Sequence, residues 1–330
     1  MNIFKLIIVV FVLGFAQTSY ADRRCDFDVC KLKACKEMDI EKITKAFSYH
    51  NNSLGWSALN YAIEKEDYQS AKILCDYQVD IGTRDGLYIT NPGSTYKGNA
   101  LERILHHSQY MKMQKKLKFE QVILIKSLID GGIDCDFEYE SGFGTPLMSL
   151  AYFGEIELVG RLLDRNVDVN RQNGGALSMA LCTGNTHLVN YLIMRGADVK
   201  LINMLHDAIL GQKVELVQLA FSYGCTADQF DALKTAINYV PSEIQNLYQK
   251  PGSETPALDV ISCLLENGID PNYWMCDALA NGKSIAEAYK DSPMKYALNL
   301  SKQVYSFEQI CYWQCLINLF KTYGAVTDKQ

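Results

Sequence analysis

Two adjacent histidines, His106 and His107, precede a lysine-rich stretch that contains Lys112, Lys115, Lys116 and Lys118. Imidazole is the usual general base and a common metal ligand in proteins. A metal site also needs carboxylates or thiolates whose spacing lets them converge on one ion, and the sequence offers no such set. We therefore predict no catalytic residue, no metal site and no cofactor. An enzyme whose site lies in inserted loops around these two histidines is the alternative.

Four acidic side chains alternate along the chain before Gly142, at Asp134, Asp136, Glu138 and Glu140. Carboxylates at close spacing are typical of calcium loops, but the ligand order of an EF-hand is missing. We interpret the stretch as an acidic loop tip. Phosphate-binding and nucleophile-elbow motifs are also missing from the sequence.

The chain contains 11 cysteines, an odd number, so at least one thiol stays free or pairs with another chain. Cys25, Cys30 and Cys35 recur every five residues, which is not the spacing of a zinc site. These three residues are the best candidates for a disulfide. Cysteines in apolar helical positions, such as Cys75 and Cys263, are expected to pack as small hydrophobic side chains.

The N-terminus has the pattern of a secretory signal peptide. Lys5 is followed by an apolar run from Leu6 to Ala16, and Ser19-Tyr20-Ala21 places small residues at a cleavage site. The run is too short to span a membrane as a helix. We predict a signal peptide over residues 1–21, cleavage after Ala21, a periplasmic or secreted location, and no membrane span in the mature chain. An N-terminal anchor or a core helix is the other interpretation of this segment.

Charge and composition narrow the class of partner. The chain has a net charge of −6 over 330 residues, and 48% of its residues are hydrophobic. A nucleic-acid-binding protein would present a basic stripe, so we do not expect a nucleic-acid partner. The acidic balance weakly favours a basic partner, and the apolar content suffices for a packed core.

Apolar residues recur at fixed offsets from four reference leucines, Leu59, Leu147, Leu177 and Leu205. Two short apolar periods follow each leucine, which predicts a helix–turn–helix unit. A glycine follows the second helix at Gly196 and Gly224, where a left-handed C-cap is expected. Gln78 and Asn166 occupy the same slot in the other two units. Self-similarity at such a period indicates a stack of repeats.

These units resemble ankyrin repeats. The residues that carry the resemblance are Thr145-Pro146-Leu147, Gly154, Leu162-Leu163, Asp168-Val169-Asn170, Ala180, Gly184, Leu192, Gly196-Ala197-Asp198-Val199 and Leu205-His206-Asp207-Ala208. The resemblance implies an all-α ankyrin-repeat solenoid of about seven to eight helix–turn–helix units, with short fingers and two inserted loops. The implied domain covers residues 22–330, with a degenerate cap unit at 25–53, repeats at 54–270 and a C-terminal cap unit at 271–330. His206 stands in the family's histidine slot and is expected to form hydrogen bonds at a helix end.

In this family the exposed positions of the first helices form a concave face. They lie at offsets of about +2, +5 and +6 from each reference leucine. Aromatic and apolar residues in a polar rim are typical of binding hot spots. The predicted binding residues of the concave face are Tyr61, Tyr152, Phe153, Met179, Asp207, Leu210, Asn238 and Tyr239. A loop from Tyr88 to Tyr96 is expected to add contacts, and the alternative is that the inserted loops cover this face.

The sequence therefore predicts an exported, non-catalytic scaffold that binds a protein partner. Exported bacterial proteins of similar type are immunity proteins that act beside secreted antibacterial toxins, including lipase effectors. By that resemblance the partner is a secreted toxin. The alternatives are a secreted virulence factor that binds host proteins and a periplasmic helper of an oxidative-stress enzyme.

Overall fold

The computed structural model describes residues 57–76, 78, 81–89, 95–106, 108, 115–139, 144–225, 232–239, 256–272, 294–295, 297–298 and 307–325. The predicted signal peptide, the cap unit at 25–53 and the cysteines Cys25, Cys30 and Cys35 lie outside these residues. The chain divides into two compact units, residues 1–176 and 177–330, which are described separately. A single repeat domain over residues 22–330 stays a prediction.

The first unit consists of helix pairs and one small hairpin. Its elements are α1 (Ala58–Glu64), α2 (Tyr68–Asp76), β1 (Asp85–Ile89), β2 (Thr95–Gly98), α3 (Ala100–His106), α4 (Phe119–Asp130), α5 (Pro146–Phe153), α6 (Ile156–Asp164) and the start of α7 (Arg171–Cys182). The first helices α1, α3 and α5 pack on one another in one layer, and the second helices α2, α4 and α6 form the other. This arrangement confirms the predicted helix–turn–helix fold.

The start of α5 shows why the units form where the sequence predicts. The Thr145 side chain accepts a hydrogen bond from the Met148 backbone N–H at 3.1 Å, and Pro146 follows at the first helical turn. Such a cap satisfies one of the free N–H groups of a helix start. Leu147 and Leu150 then point into the core, where each is almost fully buried. Burial of one such side chain contributes about 1.5–3 kcal/mol.

In each of the four helix–turn–helix repeats counted from a reference leucine, both helices end at a residue with a left-handed backbone. The position seven residues after the leucine has a positive φ in all four, at Glu66 (55°), Gly154 (75°), Gly184 (69°) and Gln212 (53°). The position 19 residues after the leucine also has a positive φ in all four repeats, at Gln78 (58°), Asn166 (61°), Gly196 (95°) and Gly224 (76°). The predicted left-handed C-cap is therefore confirmed, including where the residue is not glycine.

A two-stranded antiparallel hairpin occupies part of the predicted loop from Tyr88 to Tyr96. Strands β1 and β2 pair with Tyr88 opposite Tyr96 and Ile89 opposite Thr95. The fold is helical, as predicted, but this connection is a β-finger because two segments of alternating extended backbone pair locally. The loop prediction for these residues was thus partly wrong.

The acidic stretch after α4 is also extended. From Ile133 to Tyr139, buried and exposed residues alternate, so that Asp134, Asp136 and Glu138 lie outside while Cys135 and Phe137 lie inside. The two-residue period of an extended chain explains this alternation. Asp136 is paired with Arg171, whose Nε and Nη2 atoms lie 2.9 Å from its two carboxylate oxygens.

The second unit continues the helix pairs. Its elements are the end of α7, α8 (Thr186–Met194), a 3₁₀ turn (Val199–Leu201), α9 (Met204–Leu210), α10 (Val214–Ser222), α11 (232–239), α12 (Pro256–Glu266) and α13 (Phe307–Thr322). Helix α9 packs on α10, and α10 packs on α12. The finger, which is the connection between α8 and α9, contains only the 3₁₀ turn. This agrees with the short finger predicted from the resemblance and from the spacing of Leu177 and Leu205.

Candidate functional site

The predicted concave-face residues of the second unit lie on α7, α9 and α11. Met179, Asp207, Leu210 and Tyr239 are half-buried, and Asn238 is exposed. On the same helices Ala180, Ala208 and Ala236 are fully buried. Each helix therefore turns one stripe into the core and leaves the residues at offsets +2, +5 and +6 on its accessible flank. Apolar and polar side chains are mixed along this flank.

In the first unit Tyr61 and Tyr152 are half-buried on α1 and α5. The Lys65 ammonium lies 5.3 Å from the centre of the Tyr61 ring, a cation–π contact. These two tyrosines keep part of their surface accessible. Whether any of the predicted residues binds a partner stays a prediction.

Phe153 departs from the prediction that it is accessible. Its side chain is 6% exposed, and its ring meets the Tyr152 ring edge-on at 5.2 Å. The +6 position lies only about 60° around the helix from the buried +3 position. A large apolar ring at +6 therefore reaches the core, whereas Lys65 and Thr183, which have the same offset, remain exposed.

Cys182 and Asp207 are neighbours at two of the predicted concave-face positions of the second unit. The pKa of the Cys182 thiol rises from 9.0 to about 11, first because the thiol is partly buried and next because the negative charge of Asp207 lies beside it. Burial, together with the neighbouring Cys182, also raises the pKa of the Tyr239 phenol. Cys182 is therefore a neutral thiol at physiological pH, which opposes a role as a nucleophile.

The His206 ring lies next to the same carboxylate. Its Nδ1 atom is 3.5 Å from Asp207 Oδ1, and the side chains are 41% and 14% exposed respectively. The helix start itself is capped by Asn203, whose Oδ1 accepts the backbone N–H of His206 at 3.2 Å. The His206 side chain, in the first turn of α9, thus has its hydrogen-bond contact with Asp207, while Asn203 caps the backbone N–H at this helix start.

His106, the centre of the enzyme alternative, is buried. Its ring meets the Tyr139 ring edge-on at 5.9 Å, and the Tyr139 hydroxyl lies 2.8 Å from Ser149 Oγ. His107 lies outside the described residues. The His106 environment is a packed core with a hydrogen-bonded tyrosine, and it does not resemble an open catalytic cleft. Within the described ranges, no three histidine, cysteine or acidic side chains cluster as metal ligands would.

An ion pair in the first unit, with a buried arginine and a half-buried glutamate, was not predicted from the sequence. Arg103 is fully buried, and its Nη1 atom lies 3.2 Å from Glu64 Oε2. Counted from Leu101, Arg103 occupies the +2 position of its repeat, and Glu64 occupies the +5 position of the preceding repeat, counted from Leu59. The opposite charges of Glu64 and Arg103 at these two offsets are the sequence feature from which the ion pair could have been predicted. Cys182 and Asp207 hold the same +5 and +2 positions in the second unit.

A second buried polar group links three segments of the first unit. The Gln121 amide nitrogen donates to the Tyr68 hydroxyl at 2.9 Å and to Ser108 Oγ at 2.8 Å. Burial and the nearby negative charge of Glu66 raise the pKa of Tyr68, although the Gln121 bond partly opposes that effect. This network is structural, because all three side chains are buried.

Comparison with known proteins agrees with this geometry. Residues 117–203 match the family model for ankyrin repeats, in three copies. Ankyrin repeats are generally protein–protein interaction scaffolds without catalytic activity. The match covers about a quarter of the chain and includes the units that begin at Leu147 and Leu177.

One solved structure similar to this chain is an ankyrin repeat domain from Acinetobacter baumannii AYE. It is 16% identical, covers 81% of this chain and 98% of its own, and superposes with a TM-score of 0.36. No curated protein matches the chain. None of the helices in the described segments has the length and apolar character required to cross a membrane.

Proposed function

We propose that this protein is an exported, non-catalytic scaffold that binds a protein partner through the concave-face positions of its ankyrin repeats, and that the partner is a secreted toxin. The observation that carries the proposal is the flank formed by Met179, Asp207, Leu210 and Tyr239. These side chains keep accessible surface on helices whose opposite stripe is fully buried. Apolar and aromatic residues next to a carboxylate are the composition expected of a protein contact.

Export is supported by the sequence of residues 1–21, which has a charged start, an apolar run and a small-residue cleavage site. An immunity protein has to meet its toxin in the compartment where the toxin acts. A location outside the cytoplasm is therefore consistent with a partner such as a lipase effector.

The binding test uses the purified chain and the product of a neighbouring toxin gene, mixed in a calorimeter and in the toxin's own activity assay. Binding with inhibition of the toxin supports the proposal. The double variant Met179→Ser/Leu210→Ser removes two apolar contacts and is expected to weaken binding at least about tenfold. Its matched control, Met194→Ser/Tyr223→Ser, alters two exposed apolar residues at the ends of second helices.

Two results would contradict the proposal. One is that neither binding nor inhibition is found with any neighbouring secreted protein. The other is that the two double variants weaken binding equally, because contacts would then not lie on the concave-face positions. Cell fractionation with mass spectrometry of the N-terminus tests export separately, since an uncleaved cytoplasmic chain is incompatible with it.

A further inference from the structure

Asp207 occupies the +2 position that Arg103 occupies in the first unit, but the residue at the +5 position of the preceding repeat carries no opposite charge. In the first unit the +5 and +2 positions of successive repeats hold Glu64 and Arg103, with 3.2 Å between the charged groups. In the second unit the same positions hold Cys182 and Asp207. The carboxylate of Asp207 therefore faces a thiol where the first unit places an oppositely charged side chain.

The thiol cannot neutralise that carboxylate. Cys182 stays protonated because burial and the adjacent negative charge raise the pKa of the thiol to about 11. Within the segments that the structure describes, the basic side chain beside Asp207 is His206, whose Nδ1 atom lies 3.5 Å from the carboxylate and which is charged only when the imidazole is protonated. No described lysine or arginine side chain forms an ion pair with Asp207.

The carboxylate is also partly shielded from water. The Asp207 side chain is 14% exposed, and the half-buried Met179 and Leu210 lie on the same flank. A charge in such surroundings interacts more strongly with an opposite charge than a fully solvated one does. The net charge of −6 adds a long-range attraction for a basic partner.

We propose that Asp207 is the anchor point for a lysine or arginine side chain of the protein partner, which supplies the opposite charge that Glu64, at the +5 position, supplies to Arg103 in the first unit. This inference rests on the proposed function and specifies the chemistry of the bound segment. The alkyl part of the basic side chain packs against Met179 and Leu210, and its charged end pairs with the carboxylate.

The test uses the full chain and a phage library of random linear peptides. Selected peptides are expected to be enriched in lysine or arginine. Synthetic copies of the selected peptides are then titrated against the wild type and variants. Asp207→Asn keeps the shape and removes the charge, so it should weaken binding at least about tenfold. Glu215→Gln removes an exposed charge from helix α10 and should leave the affinity unchanged.

A second variant tests the pairing itself. Cys182→Lys supplies an internal cation at the +5 position and should weaken peptide binding as Asp207→Asn does, while Cys182→Ser should not. Circular dichroism at matched temperature shows whether each variant is folded. Asp207→Asn and Cys182→Lys test the same charge pairing at two different positions. If one of them disturbs the helix pair, the other still tests the anchor.

The results that would overturn the Asp207 anchor can be distinguished from those that would contradict the proposed function. Peptides that bind without basic residues, or that bind Asp207→Asn and wild type equally, overturn the anchor while leaving the scaffold function intact. A chain that selects no peptide at all overturns the anchor and contradicts the proposed function as well. Loss of binding in Met179→Ser/Leu210→Ser with no effect of Asp207→Asn retains the concave-face site and rejects only the basic anchor.

Discussion

The turns after α7 and α9 meet backbone to backbone at Gly184 and Gly211. A Cβ atom added to Gly211 would lie 3.1 Å from the Cα and N atoms of Gly184 and 2.0 Å from the carbonyl oxygen of Leu181. The φ angle of Gly211 is −72°, which any residue adopts. Glycine is therefore required at position 211 because the backbone of the neighbouring repeat leaves no room for a Cβ atom. The φ angle of the residue does not require glycine.

Gly211→Ala should consequently destabilise the protein by about 2–3 kcal/mol, because the added methyl group forces two packed backbones apart. The control is Gly224→Ala, where φ is +76° and no atom lies within 4 Å of the added carbon. That variant carries only the cost of a left-handed alanine, about 1 kcal/mol. Urea unfolding of both variants checks the difference, and equal losses would show that the backbone contact is not tight.

Gln78→Gly should stabilise the protein by roughly 0.5–1 kcal/mol. Gln78 is exposed and has a φ of 58°, a conformation that favours glycine over residues with a side chain. Asn166→Gly should gain less, because asparagine tolerates a left-handed backbone better than glutamine does. Gln69→Gly, a change of the same type within helix α2, should destabilise the protein. A loss of stability in Gln78→Gly, measured by thermal unfolding, would contradict this account of the helix ends.

Arg103→Ala should cost about 3–5 kcal/mol, because it removes a fully buried side chain and leaves Glu64 without its partner. Arg103→Met retains most of the volume and should recover part of that loss. Lys72→Ala breaks the exposed Lys72–Asp76 pair and should cost less than about 1 kcal/mol. Denaturant midpoints give the ranking, and comparable losses for Arg103→Ala and Lys72→Ala would show that the Arg103–Glu64 pair adds little to stability.

Cys182 should react slowly with iodoacetamide. The rise in the pKa of its thiol from 9.0 to about 11 lowers the thiolate fraction at pH 8 roughly a hundredfold. The exposed Cys315 is the reference thiol in the same sample. Asp207→Asn removes the negative charge that contributes to this rise, so Cys182 should then react faster. Peptide-level mass spectrometry measures both rates, and a Cys182 that labels as fast as Cys315 would refute the partly buried, neutral thiol.

Stability should fall at alkaline pH. The pKa values of the Cys135 and Cys182 thiols are both raised from 9.0 to about 11, chiefly by burial. A raised folded-state pKa means that the protonated thiols favour folding below pH 9, and that this contribution is lost as the pH rises towards 11. The free energy of unfolding, measured across that range, should decline less steeply in Cys135→Ala/Cys182→Ala. An unchanged slope would indicate that other groups control alkaline unfolding.

The helix–turn–helix repeats and the left-handed position at offset +19 were predicted from the sequence, whereas the left-handed position at offset +7 was found in the structure. They depend on local features, namely apolar periodicity, the Thr145-Pro146 start and the residues that end each helix. Gln78 and Asn166 adopt the same left-handed backbone although they are not glycine, because the second helix of each repeat ends at the same offset from its reference leucine. The β1–β2 hairpin was not foreseen, since Asn91-Pro92-Gly93 indicates a turn but does not show whether the residues on either side of it pair as strands.

Only the tertiary structure decided which concave-face side chains remain accessible. Arg103 and Asp207 share the same offset, yet one is fully buried against Glu64 and the other lies beside a neutral thiol. Phe153 turns into the core where smaller or charged residues at its offset do not. The offset gives the direction of a side chain from its helix, whereas burial and charge pairing depend on which residue the adjacent repeat places opposite it.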